Sequence, residues 1–171
     1  TLTQSEVGKS ITVIASYKDG YGKDEAVGSS AVGPIGNLDD EATGTLSVSG
    51  DAIEGGGLVA ALTNVVDADG STTTSYRWQE NTNTFASPVW SDIANANIAT
   101  LSIPSNQSYV GKVVRVVATT TDTLGGKTEF FGPAQTIQNV NDVPTGSVTI
   151  SGTAREDEQL TALTTTLADE D

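Results

Sequence analysis

The chain has 171 residues, enough for one ordinary domain and part of another, and only 36% are hydrophobic and 5% aromatic, so any core is thin and built mainly of Val, Ile, Leu and Ala. A net formal charge of -14, from 22 Asp and Glu against 8 Lys and Arg, excludes a simple nucleic-acid binder, because phosphates would be repelled. The absence of Cys, His and Met excludes disulfides, thiol chemistry, serine–histidine catalysis and imidazole zinc sites.

No apolar run approaches the ~18–20 residues of a membrane span. The chain starts at Thr1 with neither Met nor signal peptide, which reads as a mature piece or a fragment. Ser10-Ile11-Thr12-Val13-Ile14-Ala15 alternates with period two, and so does Thr45-Leu46-Ser47-Val48. No stretch of a dozen residues keeps a 3.6-residue apolar period, and Thr with Ser supplies 41 residues. The expected fold is therefore all-β. In chain order the central region lays out as strands Thr45–Ser49, Leu58–Thr63, Ser75–Glu80, Val89–Ile93, Thr100–Ile103, Lys112–Thr121 and Thr128–Gln138. Asp69-Gly70 marks one turn, and Gly125-Gly126 marks a hairpin whose glycines can take positive φ. Trp78, in the middle of the third strand, is expected to fill the core, while Trp90, beside Pro88 on an edge, is the better candidate for exposure.

Self-comparison shows a repeat. TGTLSVSGDAIEGGGLVAALTNVVDAD at 43–69 and TGSVTISGTAREDEQLTALTTTLADED at 145–171 share eleven of 27 positions at an offset of 102, without a gap. Val7-Gly8-Lys9 likewise matches Val110-Gly111-Lys112, and Asn37 to Gly44 matches Asn139 to Gly146. The chain is thus read as residues 1–36, the C-terminal half of one repeat; 37–138, a complete repeat with its leading linker; and 139–171, a second linker with the front of the next repeat. A repeat of about 100 residues is too long for a solenoid unit and suits an antiparallel β-sandwich of the Ig-like type.

That topology predicts which turns meet. A linker is flanked by the turns after the first and fifth strands of the earlier repeat. From the later repeat come the turns after the second and sixth strands. At the second junction this gathers Asp51 and Glu54, the linker residues Asn139, Asn141 and Asp142, and Asp169 and Asp171 with Glu170. At the first it gathers Glu6, the linker residues Asn37, Asp39, Asp40 and Glu41, and Asp67, Asp69 and Asp122. Calcium takes 6–8 oxygen ligands, and carboxylates with amide carbonyls supply them. Asp-Ala-Asp-Gly at 67–70 is equally an ordinary turn, and it is not an EF-hand loop. The recurrence of the acids at both junctions favours calcium.

Asn-Val-Asn-Asp-Val-Pro-Thr-Gly at 139–146, the Val-Thr-Ile-Ser-Gly run after it, and Tyr76-Arg77-Trp78-Gln79 resemble the Ig-like or cadherin-like tandem repeats of very large bacterial surface adhesins. The resemblance implies an extracellular extender that holds an adhesive domain away from the cell, often stiffened by calcium between repeats. Asn141, Asp142 and Pro144 match the cadherin linker pattern; Ala42 stands where the first linker would carry that proline. The partners expected are neighbouring repeats and other copies through open sheet edges, with no nucleic acid and no membrane span; the distal ligand is not legible. Two alternatives stand beside this: a carbohydrate-binding module using Trp90, Tyr109 or Tyr76, and a repeat subunit of an extracellular filament. An enzyme is not expected, because the acids lie in turns rather than a cleft.

Overall fold

The computed structural model describes residues 1–83, 85 and 87–171. Among them are twelve strands and one short turn of 3-10 helix, Gln4–Glu6, so the protein is all-β. No helix among the described residues is long and apolar enough to cross a membrane.

Two strands precede the linker, β1 (Ile14–Lys18) and β2 (Asp24–Gly28). They pair antiparallel from Ile14↔Gly28 to Lys18↔Asp24. Next come β3 (Thr43–Asp51), β4 (Gly57–Val66), β5 (Thr73–Asn81), β6 (Trp90–Asp92), β7 (Thr100–Ser102), β8 (Val113–Thr121), β9 (Lys127–Phe131) and β10 (Gln135–Thr136). The last two strands, β11 (Thr149–Ser151) and β12 (Thr161–Leu163), form a separate antiparallel hairpin. One sheet runs β3-β4-β7; another runs β10-β8-β5-β6, with β9 also on β8. The final strand expected over Thr128–Gln138 is split in two, because Pro133 has no N–H to give. Gly132 bridges the break through its N–H, which donates to Val116 O at 2.9 Å.

The chain divides into two compact units, and they cut across the repeat boundaries. One comprises Thr1–Thr45, Asn64–Thr74 and Thr119–Glu129; the other Leu46–Thr63, Ser75–Ala118 and Phe130–Asp171. The second unit holds the hydrophobic core. Leu58 and Ala60 of β4 and Leu101 of β7 meet Trp78 of β5, Val114 and Val116 of β8, Ile103 and Ile137. Val114 and Val116 lie two apart in β8, so the pleat turns them to the same side, and both are fully buried. One core fed by residues of two antiparallel sheets is consistent with a β-sandwich. Trp78 has no exposed surface, and its indole Nε1 donates to Ile98 O at 3.1 Å, so its one polar atom is satisfied.

The repeat seen in the sequence recurs in the backbone. At an offset of 103, β1 and β2 fall on the second half of β8 and on β9; at 102, β11 and β12 fall within β3 and β4. Gly8 N donates to Ile35 O at 2.8 Å and Gly111 N to Ile137 O at 2.9 Å; the bridge Ile11↔Val32 corresponds to Val114↔Gln135.

Truncating Trp78 to Ala should lower the unfolding free energy by about 3–5 kcal/mol, the usual cost for a large core aromatic. Urea denaturation measures this, and a loss below ~1 kcal/mol would contradict the core assignment.

Candidate functional site

Among the described residues, acidic side chains converge at two places, one in each compact unit. In the first unit the carboxylates of Asp39, Asp69 and Asp122 each offer an oxygen, and these oxygens lie within 4.8 Å of one another. Asp39 comes from the linker, Asp69 from the turn after β4, and Asp122 from the residue after β8. Asp69 and Asp122 are only 4% and 8% exposed. Asp69 accepts the Asp40 N–H at 2.7 Å through Oδ2, while its buried Oδ1 has no hydrogen-bond partner. Asp122 caps its own turn: Oδ1 accepts the N–H of Leu124 at 2.5 Å and of Gly125 at 2.9 Å. Loss of solvation, then the charges of Asp122, Asp69, Asp67 and Asp40, hold the Asp39 carboxyl above its ordinary range.

In the second unit Glu54, Asp142 and Asp171 form a triad of the same dimensions. Glu54, in the turn after β3, is 7% exposed. Its Oε1 and Asp142 Oδ2 are buried and lack hydrogen-bond partners. Asp171 Oδ1 accepts from Asn139 Nδ2 at 2.7 Å and Gln107 Nε2 at 3.1 Å, and its Oδ2 accepts the Asp142 N–H at 2.8 Å. The Asn139 and Asp142 donors, with Gln107, hold its carboxyl below the ordinary range.

The two triads share one scaffold. Asp40 N–H to Asp69 and Asp142 N–H to Asp171 are the same bond 102 residues apart. Gln4 Nε2 donates to Asn37 Oδ1 at 3.1 Å, and Gln107 Nε2 donates to Asn139 Oδ1 at 2.7 Å. Asp67 and Asp169 accept the N–H of Asp69 and Asp171, at 2.8 and 3.3 Å. Glu54 joins only the second triad and Asp122 only the first. In the expected topology one belongs to the earlier repeat at a junction and the other to the later repeat. The two triads are therefore complementary views of one arrangement. Oxygens no more than 4.8 Å apart match the span of two ~2.4 Å calcium–oxygen bonds, and unpartnered buried carboxylate oxygens fit a divalent cation.

Several expected ligands lie outside the triads. Asp51, at the end of β3, is exposed, and Glu41 and Glu170 are exposed as well. Asp40 contributes its backbone N–H, Asp67 and Asp169 brace turns, and the Asn141 amide donates to Asp142 O at 2.8 Å. Glu6 is engaged locally: its carboxylate accepts Thr3 N at 2.8 Å, Thr3 Oγ1 at 2.9 Å and Ser5 Oγ at 2.5 Å. The spacing Thr3-x-x-Glu6 is that of a capping box, a signal present in the sequence. Gln107 was not among the expected residues; the pairing of Gln4 with Gln107, 103 residues apart, is the signal for it. The aromatic candidates are occupied. Arg115 lies 4.1 Å from the Trp90 ring centroid, the Tyr76 hydroxyl accepts the Leu62 N–H at 3.3 Å, and Tyr109 packs on the core.

Hydrogen bonds from Ser5, then the Thr3 backbone and side chain, lower the Glu6 pKa from 4.5 to about 2. A depressed carboxyl adds stability above its unfolded pKa and loses it as pH falls toward the folded one. Glu6→Gln should therefore flatten the acid limb of the stability curve between about pH 4.5 and 2 while leaving any metal response intact. Thermal melts across that range check this. Comparison of the chain with protein-family models, curated proteins and solved structures gave no match.

Proposed function

We propose that the chain is a stretch of tandem Ig-like, cadherin-like repeats that serves as a structural extender in a large bacterial cell-surface or secreted protein, with calcium bound at the repeat junctions. The observation that carries this reading is the pair of buried, unpartnered carboxylate oxygens, Asp69 Oδ1 and Glu54 Oε1, in two triads built on one repeating linker geometry. Orphaned carboxylate oxygens beside other carboxylates are costly without a counter-charge, and a hard divalent cation supplies it. Asp39, Asp69 and Asp122 would hold it at the first junction and Glu54, Asp142 and Asp171 at the second; Gln107 and Asn139 orient Asp171. Binding would tie linker to turns and remove bending freedom at the joint.

The half-repeats support the tandem reading. Val13 and Leu160 are 66% and 49% exposed, whereas their counterparts Val116 and Leu58 are 0% and 2% exposed. Such apolar faces match those that a complete repeat covers with its remaining strands.

Calcium should raise the melting temperature with concentration, by the equivalent of about 2.7 kcal/mol at a hundredfold excess over Kd. Asp69→Asn and Glu54→Gln should each remove part of that rise. Solution scattering should show a longer maximum dimension with calcium than with chelator. No melting shift together with an unchanged dimension would reject the function.

A further inference from the structure

The first acidic triad leaves no room for a side chain at Gly126. This residue follows the hairpin glycine Gly125, which takes φ 98°. Gly126 lies outside the left-handed region, so its backbone does not demand glycine. The demand is for space. A Cβ built at Gly126 collides with Asp39 Oδ1 and with Asp122 Oδ2, two of the three carboxylates of the triad. The linker carboxylate therefore occupies the volume that a side chain would fill.

The N-terminal hairpin supplies the contrast. Asp19 N–H donates to Lys23 O at 2.9 Å, as Asp122 N–H donates to Gly126 O at 3.1 Å. Gly22 takes φ 83° in the place of Gly125. Asp19 caps its turn as Asp122 does, accepting the N–H of Tyr21 and Lys23 at 2.9 Å each. Lys23 is thus the register counterpart of Gly126, in a turn that otherwise keeps the same aspartate and the same left-handed glycine. Asp69 provides the independent sign of a ligand at the Gly126 site: it is 4% exposed, and its Oδ1 has no partner.

We propose that Gly126 is the positioning residue that admits Asp39 to the first triad and so decides that this junction takes a divalent cation, whereas a repeat with a side chain at that position, as at Lys23, forms a junction that takes none. Repeats of one array then differ in whether their joints are metal-locked, and one residue after the hairpin glycine encodes the difference. The inference rests on the calcium reading above but fails separately from it. A methyl group displaces the Asp39 carboxylate and presses on Asp122 Oδ2, which leaves an incomplete set, while the second triad, built from Glu54, Asp142 and Asp171 of the other compact unit, serves as an internal control.

The test is calorimetric calcium titration of the whole chain, after metal removal on a chelating resin. Wild type should show two binding events, one lost in Glu54→Gln. Gly126→Ala should weaken the other on the order of 10–100-fold, the scale seen when a ligand loses its orientation. It should leave the Glu54-dependent event and the metal-free melting temperature unchanged, which separates loss of a ligand from loss of folding. Asp39→Ala should reproduce the effect without touching the turn. Two events of wild-type affinity in Gly126→Ala, or a wild type whose only event is the one Glu54→Gln removes, would overturn the role of Gly126 and leave the calcium reading standing. No event in wild type would overturn both.

Discussion

A backbone amide of the linker donates to the last aspartate of the turn that follows, once from Asp40 to Asp69 and again from Asp142 to Asp171. The geometry of both acidic triads depends on this bond. It occupies one carboxylate oxygen of the acceptor and fixes the plane of the group. In Asp69 the other oxygen is left buried without a partner. A charge-assisted bond from a peptide N–H is among the stronger hydrogen bonds a surface segment can make, so a short linker with little apolar area still acquires a defined course.

Around that bond, the chain concentrates negative charge where backbone geometry allows the least adjustment. Asp122 and Asp67 are tied to N–H groups of their own turns, so they cannot swing away from Asp69 as free surface carboxylates would. The Asp39 carboxyl is held above its ordinary range, first by loss of solvation and then by the charges of Asp122, Asp69, Asp67 and Asp40. Asp171 is the opposite case: three donors surround it and favour its ionised form. The linker positions of the two triads differ accordingly. The first takes Asp39 and the second takes Asp142, while Asn141, the counterpart of Asp39, turns its side-chain amide to Asp142 O.

The remainder of the structure keeps these segments in place. Trp78 and the valines of β8 anchor a core with few aromatic residues, and the indole N–H bond to Ile98 removes the one polar liability of burying so large a ring. On the same sheet Arg115 lies over both Trp90 and Phe131 and bonds Gln79, covering aromatic surface that a sugar ring would otherwise need.

The sequence by itself determined the all-β class, the periodicity, the burial of Trp78 and the set of acids that recur at each linker, because strand alternation and a 102-residue self-match are properties of residue order. It did not determine which acids share a site. Asp40, Asp67 and Asp169 match their neighbours in chemistry, yet Asp40 gives only its backbone N–H and Asp67 and Asp169 brace turns instead of joining a triad. Glu6 is taken by Thr3 and Ser5, three residues or fewer away, a local competition written in the chain. The convergence of Glu54 with Asp171, the orienting role of Gln107 and the filling of the space beside Gly126 by Asp39 were decided only by the tertiary structure. Each depends on distances between segments far apart in sequence, and an absent side chain leaves no mark on composition or period.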